Sequence, residues 1–136
     1  MDRGYFCWKI IPPAPMKIEI TDHRKIYAVQ KEFNELFPFL KIEFFAKPHT
    51  SGGPASNKLV THSSKNLGSC RTVHAKGTIV ITPNMTVREL KQIFTELYGL
   101  TIRVSRMVGN GWVDVADNDG WPLEEQNIEG QQSMTV

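Results

Sequence analysis

Acidic residues are missing from a long central span of this chain. None stands between residues 44 and 88, a stretch that carries Lys47, Lys58, Lys65, Arg71 and Lys76 with His49, His62 and His74. Bases are missing from its end. Residues 112–136 hold Asp114, Asp117, Asp119, Glu124, Glu125 and Glu129 without one Lys or Arg. The net charge of +2 therefore conceals a segregation. It reads as two regions that attract each other within the fold, or as a basic anion-binding segment shielded by an acidic one. Long apolar runs are missing too. Nothing approaches the roughly 20 residues of a membrane-spanning helix. Residues 5–11 are interrupted by Lys9 and followed by Pro12, Pro13 and Pro15, which argues against a secretory leader. Cys7 and Cys70 are the only cysteines, which excludes a disulfide framework. They read as free thiols of a cytoplasmic protein.

What is present is a repeat. When Ile18 is laid on Ile79, Ile20 falls on Ile81, Thr21 on Thr82, Ile26 on Val87 and Val29 on Leu90. Phe33, Glu35, Leu36 and Phe37 fall on Phe94, Glu96, Leu97 and Tyr98. After the loss of one residue, Leu40, Ile42 and Phe44 fall on Leu100, Ile102 and Val104. In each copy a period of two gives way to a helical period and returns to a period of two. The first copy predicts a strand over 16–21 and a helix capped by Thr21 or Asp22, with Ile26, Val29, Phe33, Leu36 and Phe37 inside and Pro38 ending it. A strand from Leu40 follows. The second predicts a strand over 78–82 and a helix opened by the capping box Thr86–Glu89 and closed by Gly99. Its buried stripe is Val87, Leu90, Ile93, Phe94 and Leu97. A strand over 100–107, a turn at Asn110–Gly111 and a returning strand over 112–115 complete it. A short helix over 123–128 follows, anchored by Trp121, Leu123 and Ile128.

Strand–helix–strand occurring twice predicts an α+β fold: a two-layer, ferredoxin-like split βαβ sandwich with an added C-terminal hairpin strand. The expected organisation is an extension over 1–15, one domain over 16–129 and a flexible tail over 130–136. Residues 48–77 form a long basic loop of neither period, in which 59–60 and 72–73 are candidate pairing segments. The alternative begins at Lys76. Residues 77–83, 86–91, Gly99-Leu100, 106–108 and 123–128 run in the order turn, helix, hairpin and late short helix. In this order the C-terminal half resembles a ubiquitin-like β-grasp domain. That resemblance lacks a long final strand and a terminal Gly-Gly, and leaves residues 18–47 unexplained. Neither fold fixes a function.

Few residues point to chemistry. Cys70 and His74, with His62, have the spacing of half a zinc site and lack the other half. Cys70 beside His74 or His62 lacks the orienting group that a catalytic thiol needs. Asp117-Asn118-Asp119-Gly120 is a turn, because a calcium loop needs a ligand where Val115 stands and a Glu where Gln126 stands. The strands lack the aromatics with which an RNA-recognition sheet stacks bases. Lys58, Lys65, Arg71 and Lys76 remain as candidates for an anionic ligand or a nucleic-acid backbone. Phe45 and Arg103 are the candidates on an outward sheet face with Lys17, Glu19, Lys41, Glu43, Val80 and Ser105. The leading expectation is a non-catalytic module, without a cofactor, that binds a protein partner or forms a homodimer. Anion or nucleic-acid binding is the alternative, and a metal- or thiol-dependent enzyme the third reading.

Overall fold

The computed structural model describes residues 16–46, 58–60 and 64–134. Its strands are β1 (Met16–Ile20), β2 (Leu40–Ala46), β3 (Lys58–Leu59), β4 (Gly77–Ile81), β5 (Thr101–Val108) and β6 (Gly111–Asp114). Its helices are α1 (Ile26–Leu36), α2 (Val87–Tyr98) and α3 (Leu123–Gln132), with 3-10 turns at Leu67–Cys70 and Ala116–Asn118. The chain is therefore α+β. β1 and β4 form one antiparallel pair, and β3-β2-β5-β6 form an antiparallel sheet of four.

This strand order corrects the ferredoxin-like expectation. That arrangement places the second repeat strand beside the third, and here β2 lies between β3 and β5. The reason is local. β3 folds back on β2 at Phe45–Leu59 and Ala46–Lys58 and occupies the edge that β4 would need. The hairpin and late helix of the β-grasp resemblance are present, but β4 pairs only with β1 among the described strands.

The register shows why the sequence repeats. Ile18 lies opposite Ile79, its own counterpart. Glu43 lies opposite Arg103, again its counterpart. Each half pairs its strands with the same strands of the other half, about an approximate two-fold axis. The equivalence extends past the strands that betray it in sequence. Val60 N donates to Phe44 O at 2.8 Å, and Val115 N to Val104 O at 3.1 Å. Ile26 N donates to Lys65 O at 2.9 Å, and Val87 N to Trp121 O at 3.4 Å. Leu67 N donates to Arg24 O at 2.9 Å, and Leu123 N to Met85 O at 2.8 Å. Gly68 N donates to Asp22 O at 3.2 Å, and Glu124 N to Pro83 O at 3.1 Å. β3 is thus the counterpart of β6, and the turn at Leu67–Cys70 the counterpart of the start of α3. Each βα turn is clasped by the segment that follows its own half's last strand. Leu67 and Leu123, one from each clasp, are fully buried.

One core joins the two sheets. Ile18, Ile20, Ile79 and Ile81 enter it from β1 and β4, and Leu40, Ile42, Phe44, Ile102 and Val104 from β2 and β5. Ile26, Val29, Phe33 and Phe37 complete it around α1, and Val87, Leu90, Phe94 and Tyr98 from α2. Phe44 and Phe94 meet edge to face, centroids 5.8 Å apart, the geometry that aromatic quadrupoles favour. The capping box at α2 is formed in both directions, Glu89 N to Thr86 Oγ1 at 3.1 Å and Thr86 N to Glu89 Oε1 at 2.9 Å. Gly99 ends α2 at φ 64°. Four expectations need correction. Lys25, not Thr21 or Asp22, is the N-cap of α1, and its side chain makes no cap bond. Leu97 is 58% exposed and Tyr98 takes its place in the core. The β5–β6 turn is Gly109-Asn110, with Gly109 at φ 61°, a left-handed first position that suits a type II′ hairpin. α3 runs to Gln132 and is anchored by Leu123, Gln126 and Gly130, while Trp121 and Ile128 are exposed. Gly130 is required there, since a Cβ on it would lie 2.8 Å from Phe39 Cβ.

Candidate functional site

Among the basic candidates, Arg71 differs from Lys65 and Lys76 in exposure. Arg71 is only 4% exposed. Its Nη2 and Nε donate to Asp22 Oδ1 at 2.8 and 3.1 Å, and its Nη1 to the Tyr98 carbonyl at 3.0 Å. It thereby ties the β1–α1 turn of one half to the C-terminus of α2 in the other, where a cation suits the helix dipole. A guanidinium spent in this way is not a free anion ligand. His74 Nδ1 lies 2.8 Å from Asp22 Oδ2. The His74 hydrogen bond, reinforced by Arg71, holds the Asp22 carboxyl below the usual carboxylate range. Asp22 is the organiser that sequence reasoning missed, because Asp after a strand reads first as a helix cap. Lys65 and Lys76 are exposed. Lys58, on β3, is paired in register with Ala46 of β2.

Cys70 and His74 differ in environment. Cys70 is buried, its Sγ 3.8 Å from Asn66 O, and burial pushes its thiol pKa up. That is the opposite of an activated thiolate. His74 is exposed and turned to Asp22. His62 lies outside the described residues. No cluster of three metal-ligating side chains occurs among the described residues.

The expected outward face divides between two sheets. Lys17, Glu19 and Val80 belong to the β1–β4 pair, and the rest to the sheet of four. On the latter, Arg103 Nη2 meets Glu43 Oε1 at 2.7 Å, and the Arg103 guanidinium carbon lies 6.0 Å from the Phe45 ring centroid. Lys41 Nζ lies 3.7 Å from Glu43 and 5.0 Å from the Trp112 ring centroid. The centre of this face is satisfied internally. Its margin is not.

That margin is β6. Val115 N bonds Val104 O, so odd-numbered residues of this strand turn their backbone groups toward β5. The N–H and C=O groups of Trp112 and Asp114 therefore face the open edge. Trp112 is 39% exposed and Val113 48% exposed, with Val108 and Trp121 also exposed. Trp121 stands near the Val113 side of the sheet, since Arg106, opposite Val113, places its guanidinium carbon 6.0 Å from the Trp121 ring centroid. Arg106 itself is held by Gln126 Oε1 at 2.7 Å.

Part of the β2 edge is plugged, and so is the residue that precedes β5. The side-chain amides of Gln30 and Asn34 donate to Ile42 O and Leu40 O on β2 at 3.0 and 2.9 Å. In the second half Thr95 Oγ1 donates to Leu100 O at 3.2 Å. Gln30 and Asn34 line the shallow groove between α1 and β2. No such plug reaches β6 among the described residues. No family model, no curated protein and no solved structure matches the chain, so the site must be read from its own geometry. No helix among the described residues is long and apolar enough to cross a membrane.

Proposed function

We propose that this protein is a non-catalytic protein-interaction module that docks its partner along the open edge β6. The observation that carries the proposal is the contrast between its two equivalent edges. By the register, Val113 on β6 corresponds to Lys58 on β3, because each lies opposite the counterpart residues Arg106 and Ala46. By the clasp hydrogen bonds, Trp121 corresponds to Lys65. A lysine on an edge strand discourages pairing with another chain. One half carries lysine at both positions and the other carries exposed apolar side chains. Exposed aromatic residues beside unpaired backbone groups are the components of strand addition, in which main-chain bonds supply affinity and side chains supply selectivity. Trp is also among the residues that most often dominate binding energy.

The test uses the full chain as bait, beside a Trp112→Ser/Val113→Lys variant that restores the polar character of the β3 edge. Val113 is exposed and Trp112 loses its contact with Lys41, so the melting temperature should fall by no more than about 5 °C, about 1 kcal/mol. The expected result is a partner recovered by the wild type and lost by the variant. Identical partner sets for the two baits would remove the reading.

A further inference from the structure

We infer that the segment β6 receives is an extended peptide of alternating basic and apolar residues, contributed by a different protein. This rests on the proposed docking at β6 and adds the chemistry of the partner. The strand and the chain that follows it are acidic in sequence. Asp114 is exposed, and Asp117, Glu124, Glu125 and Glu129 are exposed on the segments that follow. Asp119 is paired with Arg88 at 2.8 Å. No Lys or Arg occurs from residue 112 to 136. The cations within reach are committed elsewhere: Arg106 to Gln126, and Lys41 to Glu43 and the Trp112 ring.

Side chains alternate along a strand. Trp112 and Asp114 therefore share the face that carries Lys41, and Val113 stands on the face of Arg106 and Trp121. An added strand meets an acid with an apolar ring on one face and an apolar pair on the other. Alternating Lys or Arg with Val, Ile or Leu answers both. The same charges argue against a second copy pairing β6 with β6, which would bring together two short strands that each carry Asp114 and neither of which carries a base. Like charges across a strand pair are destabilising.

The experiment follows backbone amide shifts of the full-length protein on titration with three capped nine-residue peptides: alternating Lys–Val, Glu–Val and Ser–Val. The Lys–Val peptide should shift the Trp112 and Asp114 amides saturably, with affinity that falls as salt rises. Asp114→Lys should weaken it at least tenfold. Trp112→Pro should abolish it while the β5–β6 bonds persist, because the N–H it removes along with the ring faces outward. Equal binding of Glu–Val or Ser–Val at the same amides would overturn the basic partner and leave docking at β6 standing. If no peptide moves these amides, both proposals fall. Concentration-dependent shifts at 112 and 114 without peptide would identify a second copy as the occupant and overturn the inference.

Discussion

Arg71 shows how a single side chain can change its meaning between sequence and structure. In sequence it is one base among several in an acid-free stretch. In the fold it is almost fully buried, and three of its donors are matched by Asp22 and the Tyr98 carbonyl. Arg71→Met keeps the stem and removes those bonds, leaving a helix-terminal carbonyl unpaired. We expect a loss of about 2 kcal/mol in urea unfolding, the scale of hydrogen bonds to a charged group. Asp22 carries a pH dependence of definite sign. Its carboxyl is held below the usual range by His74 and Arg71. A depressed carboxylate contributes stability above its unfolded value, near pH 4, and loses it as pH falls through the lower folded value. Asp22→Asn should therefore be less stable than wild type at neutral pH, and the gap should narrow below about pH 4. Urea midpoints measured from pH 7 to pH 2 test this. A gap that widens on acidification would contradict it.

At the scale of elements, the two clasps make a matched pair. Leu67 and Leu123 are fully buried at equivalent positions, and their amides bond equivalent carbonyls, Arg24 and Met85. Leu67→Ala and Leu123→Ala should each cost about 2–5 kcal/mol, as for other buried leucines. Equilibrium unfolding of the two variants measures both costs. A negligible loss for Leu67→Ala would mean that the first clasp contributes little beyond connecting β3 to β4. Helices differ in how legible they were. α2 announces itself through Thr86, Glu89 and Gly99, and all three act as read. α1 has the same apolar spacing but starts without a side-chain cap, and its Ile26 N is satisfied by Lys65 O from the distant clasp. No local pattern encodes a bond whose partner lies so far along the chain.

For the whole molecule, the two-fold axis passes beside the Glu43–Arg103 pair. Two identical residues facing each other there would both be acidic or both basic. The opposite charges at these counterpart positions remove that conflict. Glu43→Arg and Arg103→Glu should each destabilise the protein by about 1 kcal/mol through like charges directly opposite. The double variant should recover most of the loss, and a double-mutant cycle gives the coupling energy, expected near 1 kcal/mol. Zero coupling would mean that solvent screens the pair despite its 2.7 Å contact.

Taken alone, the amino-acid order determined the α+β class, the helix stripes, the cap of α2 and the existence of two copies. Those features depend on neighbours within a turn or two, where spacing and side-chain type decide. It also marked which regions were basic and which acidic, but not their roles. Whether a copy completes its sheet with its own strands or with those of the other copy depends on pairing over long sequence separations, and both solutions bury the same isoleucines. Only the tertiary structure chose the exchange, by placing β3 on the edge of β2. It also exposed Trp112, Val113 and Trp121, which look like core residues by composition. Among the described residues β6 is an edge strand of its sheet.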